Sequence, residues 1–347
     1  PVTGIVLAKD VMVPMRDGVK LFTAVYVPKD AGASKRYPVL LTRTPYSVAP
    51  YGSDAYRDGV GPSEAAAKEG FIFVYQDVRG RFLSEGQFVD VRPHNPAKGP
   101  KDVDESSDTW DTIEWLLKKL PWDNGRVGMW GISYPGFYAS MGTIDAHPAL
   151  VATSPQAPIA DWFIGDDFHH NGAFFLPHAF NFLSSFGKPR PEPTTKREAG
   201  FDHKTQDGYR FFLDAGPMPS YDRKYLKGEV AFWKEILSHD TYDAFWQARN
   251  TRPHLKGVRP AVLTVGGWFD AEDLFGALET YKAIERQSSG ASNRLVMGPW
   301  SHGGWAGGTG EALGKVRFGQ ETAPFFQERI ELPFFRHHLK GGDDPKL

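Results

Sequence analysis

The sequence of 347 residues predicts an α/β fold of the doubly wound kind, interrupted by a mostly helical insertion. Three observations predict it. Short, almost wholly apolar runs recur at Tyr37–Leu41, Phe71–Tyr75, Val127–Trp130, Ala261–Val265 and Leu295–Met297. Runs of that length suit strands buried on both faces of a parallel sheet. Amphipathic helix patterns with long connections lie between them, as parallel strands require. The alternation then fails between about Asp161 and Pro260, where aromatic, glycine and proline residues crowd a stretch with few strand-like runs.

The elements follow in order. Val11–Val13 and Leu21–Val27 read as β and flank Arg16-Asp17-Gly18, a turn signal. A helix is expected over Ser107–Leu120, with Trp110, Ile113, Leu116, Leu117 and Leu120 on one side and Pro121 as its stop. The insertion carries helical patterns near Ala173–Leu183, Thr205–Leu213, Ala231–Leu237 and Tyr242–Asn250, and is read as a cap over the sheet. A further helix is expected over Glu272–Arg286, and a last one over Phe325–Lys340 before Gly341-Gly342, a helix stop followed by a linker. The division predicted is 1–160 for the first part of the core, 161–255 for the cap and 256–347 for the second part.

Composition excludes several function classes. A net charge of −2 asks for neither nucleic acid nor an anionic membrane as partner. No run approaches the ~18 apolar residues of a membrane helix. With no cysteine, disulfides, thiol catalysis and cysteine metal sites are excluded. The N-terminus lacks a basic-then-apolar leader, so the expectation is that any leader was removed or never existed.

The strongest local signal is Arg126-Val-Gly-Met-Trp-Gly-Ile-Ser133-Tyr134-Pro135-Gly136, an apolar strand running through Gly131-x-Ser133 into a helix-compatible stretch. A serine on a tight strand-to-helix turn is the setting of a nucleophile elbow, and the Tyr134 N–H at the helix start suits an oxyanion. Pro135 stands where the plain G-x-S-x-G pattern has its second glycine, and Gly136 comes one later. A serine nucleophile needs a base, and the base an acid to orient it. After Ser133 come Ala261-Val-Leu-Thr-Val-Gly-Gly-Trp-Phe-Asp270 and Arg294-Leu-Val-Met-Gly-Pro-Trp-Ser-His302, each an apolar strand ending in a turn and a candidate partner. Their order, Ser then Asp then His, is that of the α/β triads.

Gly131-Ile-Ser133-Tyr134-Pro-Gly136, Trp268-Phe-Asp270 and Gly298-Pro-Trp-Ser-His302 together resemble the cocaine esterase, X-Pro dipeptidyl peptidase and α-amino acid ester hydrolase group of serine hydrolases. Arg43-Thr-Pro-Tyr46, Gln76-Asp-Val-Arg-Gly-Arg81 through Ser84-Glu-Gly86, and Trp122-Asp-Asn-Gly125 agree, so the resemblance spans essentially the whole chain. The family elbow is G-x-S-Y-x-G, which accounts for Pro135. The resemblance implies an α/β-hydrolase core with a helical cap, and Tyr46 as the second oxyanion donor beside the Tyr134 amide. Asp77, Arg79 and Arg81 are expected to hold loops together. The resemblance implies a C-terminal β jelly-roll, and the sequence stops where that domain would be expected to start. Self-association, or association with that β domain, is therefore the partner expectation, and the family implies a periplasmic or secreted location.

Asp270 is followed by Ala271, Glu272 and Asp273, and Gly165-Asp166-Asp167 opens the cap. This pattern is similar to that of the α-amino acid ester hydrolases and implies Asp167, Glu272 and Asp273 as carboxylates for a substrate ammonium. Carboxylates around a cleft attract a cation, and an ammonium donates three hydrogen bonds. The bland reading is that Glu272 and Asp273 only complement a helix dipole. The function expected is an acyl-enzyme hydrolase with Ser133 as nucleophile, His302 as base and Asp270 as its orienter. Its substrate would be an ester or amide of an α-amino acid with a free amine, and acyl transfer to a β-lactam nucleus would be open to it. An X-Pro dipeptidase, a cocaine-esterase-like carboxylesterase and an inactive binding scaffold are the alternatives. No cofactor and no metal are expected, since no loop shows Ca²⁺-ligand spacing and His169-His170 and His337-His338 lack partner sets.

Overall fold

Strands β1 (Val6–Pro14) and β2 (Lys20–Pro28) form an antiparallel hairpin whose turn is closed by Gly18 N donating to Met15 O at 2.9 Å. Gly18 adopts φ 90°, where a side chain is strained. The computed structural model describes residues 6–52 and 55–347, with side chains of β1 from Lys9 onward. The chain continues through β3 (Tyr37–Thr44), α1 (Glu64–Glu69), β4 (Ile72–Asp77), α2 (Glu105–Lys119), β5 (Asp123–Ile132), α3 (Tyr134–Thr143) and β6 (Leu150–Gln156). The region after β6 holds a two-residue ribbon, β7 (His169–His170) with β8 (Ala173–Phe174), and helices α4 (Leu176–Phe186), α5 (Gly208–Ala215), α6 (Pro219–Tyr221), α7 (Ala231–Ser238) and α8 (Ala244–Ala248). It contributes none of the strands of the main sheet. Then come β9 (Ala261–Gly267), α9 (Leu274–Gln287), β10 (Asn293–Gly298), the small ribbon β11 (Ala312–Leu313) with β12 (Val316–Arg317), α10 (Thr322–Phe326) and α11 (Leu332–Lys340).

Eight strands form one sheet in the order β1-β2-β4-β3-β5-β6-β9-β10. β1, β2 and β4 are antiparallel neighbours; from β4 through β10 all pairing is parallel. This is the expected α/β-hydrolase architecture. β3 and β4 are buried at every position, which is why they read as continuous apolar runs. Successive side chains still part to opposite faces: Val39, Leu41, Ile72 and Val74 pack into one layer with α2 and α3, while Leu40, Phe71 and Phe73 join α1 and α11 in the other.

Two expectations on elements are corrected. β6 was not among the expected strands, because Thr153, Ser154 and Gln156 dilute its apolar character. All three are nonetheless fully buried, with Ser154 Oγ donating to Leu263 O at 2.8 Å and Gln156 Nε2 to Glu331 Oε1 at 2.6 Å. The last helix begins earlier than expected, at Thr322, and runs to Lys340 through a wide π turn over Gln327–Glu331 that lies between α10 and α11. Pro333 in the first turn of α11 has no N–H for the preceding turn.

The helical region is tied to the core at both of its ends. Asp161 Oδ2 accepts from Tyr242 Oη at 2.7 Å and from Arg252 Nη2 at 2.9 Å, and Thr251 N donates to Ala160 O at 3.0 Å. Inside it, Phe180 packs edge to face with Phe201, Phe212, Tyr221 and Trp233, the geometry their quadrupoles favour.

Candidate active site

Ser133 is the residue between β5 and α3 and holds φ 67°, ψ −128°. A non-glycine residue in that region is strained and is kept there by its surroundings. The surroundings are the glycines. A Cβ on Gly131 would stand 2.4 Å from Pro135 O, and one on Gly136 would stand 2.4 Å from Gln156 O on β6. The turn therefore lies against the neighbouring strand, and Ser133 N donates to Gln156 O at 2.9 Å. Gly136 is the glycine the turn needs, because it faces β6. Tyr134 opens α3, where the first amides have no partner within the helix, and Pro135 brings none. The Tyr134 side chain is fully buried; its Oη accepts from Val91 N at 2.7 Å and donates to Asp90 Oδ1 at 3.3 Å.

Asp270 and His302 meet beyond the ends of β9 and β10. His302 Nδ1 lies 2.9 Å from Asp270 Oδ2, and Asp270 Oδ1 accepts from the backbone amides of Glu272 at 2.8 Å and Asp273 at 2.9 Å. Those amides lock the carboxylate, and the carboxylate fixes Nδ1 of the imidazole as the protonated nitrogen. Burial acts to lower the His302 pKa. The hydrogen bond and charge of Asp270, then Glu272 and Asp167, outweigh it and hold the ring above the ordinary imidazole value. Nε2 lies 3.5 Å from Glu272 Oε2. Among the described residues no hydrogen bond joins His302 to Ser133. Such bonds often form only when a substrate is bound.

Tyr46 follows β3 and has 39% of its surface exposed, yet its hydroxyl end is buried near Ser133. Burial of that end, then Asp167 and Asp273, push its pKa well above the usual phenol, so it is a hydrogen-bond donor at neutral pH. Asp77, Arg79 and Arg81 hold neighbouring loops. Asp77 accepts from Val48 N, Arg79 pairs with Asp17 and Asp108, and Arg81 Nε donates to Pro45 O.

The acidic residues separate into two kinds. Asp166 is fully buried and accepts from Ala160 N, Asp161 N and Gly276 N at 2.7–2.8 Å, pinning the start of the helical region to α9. Asp167, at φ 44°, turns the other way. Its Oδ2 accepts from Trp162 Nε1 at 2.7 Å, its Oδ1 lies 3.1 Å from His178 Nε2, and its backbone N donates to Glu272 O at 2.9 Å. Burial opposes its ionisation, but His178 and Trp162 bring its pKa below the usual carboxylate range.

Asp273 stands at the N-terminal boundary of α9 and makes no capping bond. It is fully buried, and neither carboxylate oxygen has a partner among the described residues. Burial, then the charges of Asp167, Asp166 and Asp270, raise its pKa far above the usual range. Glu272 is half-buried; burial, then Asp167, raises its pKa against the pull of His302 and His178. Asp273 stands at the positive end of the α9 dipole, which favours a carboxylate there, but it makes no capping bond to the helix.

His178 on α4 and Trp162 belong to this cluster and were not among the sequence candidates. Nothing in their spacing pointed to them. Donor atoms of Asp167, His178 and Glu272 lie within 4.8 Å of one another, as do those of Glu272, Asp273 and His302, so either trio has the donors for a metal ion. The same oxygens suit an ammonium. Behind the Asp270 loop, a mainly apolar cavity of about 640 Å³ is lined by Phe174, Phe175, Leu274 and Phe275, whereas Trp162 and Phe163 are core residues.

Comparison with known proteins adds three findings. Residues 17–304 match the family described as X-Pro dipeptidyl-peptidase (S15 family). The chain is 29% identical to the cocaine esterase of Rhodococcus sp. (strain MB1 Bresler), over 97% of this chain and 56% of that protein. Two of the similar solved structures illustrate this. One is an aminopeptidase from a marine sediment archaeon, Thaumarchaeota archaeon (32% identity, TM-score 0.86, 97% of this chain and 55% of that one). The other is an α-amino acid ester hydrolase labelled with selenomethionine (34% identity, TM-score 0.87, 98% of this chain and 55% of that one). The chain thus spans little more than half the length of these relatives.

Proposed function

The chain belongs to the X-Pro dipeptidyl-peptidase (S15) family of serine hydrolases, and on that premise we propose that it cleaves esters or amides of α-amino acids whose amine is free. The observation that carries this reading is the Asp273 carboxylate, sealed from solvent with both oxygens unpartnered, beside Asp167 and within 3.9 Å of His302 Nδ1. A buried carboxylate without donors is costly unless a ligand supplies them. An α-ammonium supplies three, and seats the adjoining carbonyl close to the triad.

In this reading Ser133 attacks the carbonyl carbon while His302 Nε2 takes its proton. Asp270 orients the ring and stabilises the imidazolium. The oxyanion is held by the Tyr134 N–H and the Tyr46 hydroxyl. His302 then protonates the leaving alcohol or amine, and water attacks the acyl-enzyme by the same route. Asp167, Glu272 and Asp273 bind the ammonium, with His178 and Trp162 setting the position of Asp167. The name of the archaeal aminopeptidase favours amides as well as esters as substrates.

The test compares phenylglycine methyl ester with its N-acetyl derivative, with Ser133→Ala as control. A strong preference for the free amine, lost in Glu272→Gln/Asp273→Asn, supports the reading. Equal rates on both esters overturn it and leave a general carboxylesterase. Cleavage of an X-Pro chromogenic amide in preference to a single-residue amide moves the assignment to a dipeptidyl peptidase.

A further inference from the structure

Helix α4 connects the acidic cluster to a second cavity. His178, near its start, meets Asp167, while Asn181, Phe182, Ser185 and Phe186 line a groove of about 350 Å³. Tyr46 is common to both places: its hydroxyl faces Ser133 and its ring lines the groove. The groove also holds Arg81, Arg190 and Arg197. Arg81 is only 4% exposed, stacks 4.0 Å over the Phe186 ring, and donates from Nε to Pro45 O and from Nη1 to Phe186 O. Its Nη2 has no partner among the described residues. Arg190 lies 4.3 Å over Phe82 and donates to Lys196 O. The carboxylate of the groove, Glu198, is taken by Lys196 at 3.0 Å and Lys188 at 3.7 Å. Among the described residues none of the three guanidiniums forms an ion pair.

A nearly buried guanidinium that forms no direct ion pair is costly; Asp90 offers it only a more distant charge, and Arg190 adds like-charge repulsion. Burial, then Arg190, lowers the Arg81 pKa, which is the same conflict seen from the proton's side. An anion resolves it, and planar guanidinium forks suit a carboxylate. We propose that this groove is an anion subsite for the carboxylate of the leaving group, so that the preferred substrate is a short zwitterionic peptide or peptide-like amide. From His178 to Ser185 the helix rises about 10 Å, at ~1.5 Å per residue. An extended tripeptide spans about the same length. The inference rests on the ammonium reading above, since that reading sets which end of the substrate enters the groove.

The test uses the Ser133→Ala protein and four forms of phenylglycyl-alanyl-alanine: amine free or acetylated, carboxyl free or amidated. Calorimetry is expected to show about tenfold tighter binding for the free carboxylate over the amide. That gain disappears when Arg190→Ala and Arg197→Ala are added, while affinity for the amide stays constant and thermal melting confirms the fold. Equal binding of carboxylate and amide overturns the subsite, and so does a gain that survives the arginine changes or a tripeptide that fails to bind at millimolar concentration. The acetylated pair separates the two readings. If acetylation costs nothing while the carboxylate gain remains, the ammonium assignment fails and the anion subsite stands.

Discussion

Asp273→Asn should weaken the enzyme and strengthen the protein, and the two effects have one cause. The side chain is fully buried, and neither of its oxygens has a hydrogen-bond donor. Its pKa is raised far above the usual range, so the empty site keeps the proton at a cost to the fold, and an arriving ammonium is what makes the ionised form favourable. The amide has the same shape and no charge, and its NH₂ can donate to Asp167. Losing one charge-assisted hydrogen bond to an ammonium costs about 1.5–3 kcal/mol. That is roughly tenfold to a hundredfold in kcat/KM for a free-amine ester, at 1.36 kcal/mol per factor of ten. The N-acetyl ester should be unaffected, so the ratio of the two rates is the diagnostic. Removing an unsatisfied buried carboxylate should stabilise the fold by about 1–3 kcal/mol. The pH dependence has a definite sign. The folded pKa of Asp273 is raised, so at low pH, below the unfolded value of about 3.9, the group costs nothing. As pH rises above that value the unfolded chain releases a proton that the folded one keeps, and stability is lost. The gain in melting temperature of Asp273→Asn should thus be present at neutral pH and fade towards about pH 3. An unchanged ester ratio would sink the ammonium contact. A lower melting temperature at pH 7 would show that the carboxylate has a structural partner.

Three further changes probe the site. Tyr46→Phe should lower kcat by about 10²–10³ with little change in KM, as loss of one oxyanion donor does; an unchanged kcat would remove Tyr46 from the oxyanion site. The acid limb of kcat/KM should lie above about 6.5, because His302 must be neutral to act as base and Asp270 raises its pKa. In Asp270→Asn that limb should move down and kcat fall by about 10³–10⁴; a limb that stays in place would assign the titration elsewhere. Gly276→Ala places a Cβ 1.8 Å from Pro158 O, where the backbone must shift. Overpacking of that kind costs about 1–3 kcal/mol or more, so the melting temperature should drop clearly and free-amine selectivity with it, since Gly276 N anchors α9 to Asp166. A stable, fully selective variant would contradict the close approach.

What could be read in the sequence was what local chemistry encodes. β3 and β4 are buried at every position, so their apolar runs identify them without knowledge of any neighbour. The elbow is similar: Gly131 and Gly136 stand where a Cβ would collide with backbone, and both flank Ser133 at short range. Asp270 and His302 were visible because each follows a strand, and parallel strands deliver their ends to one edge of the sheet. β6 was not visible, because its buried Ser154 and Gln156 are satisfied by Leu263 and Glu331, residues more than a hundred positions away. The family resemblance pointed to Asp167 rather than Asp166, and the tertiary structure supplies the physical difference between them. A backbone turn at φ 44° sends Asp167 towards His178, while three amides hold Asp166. It also brought His178, Trp162 and the three arginines of the groove into the argument. Strand identity and turn strain are properties of neighbours in the chain, and the sequence determines them alone. The charge that a carboxylate or guanidinium meets depends on groups brought from distant segments, and folding alone decides it.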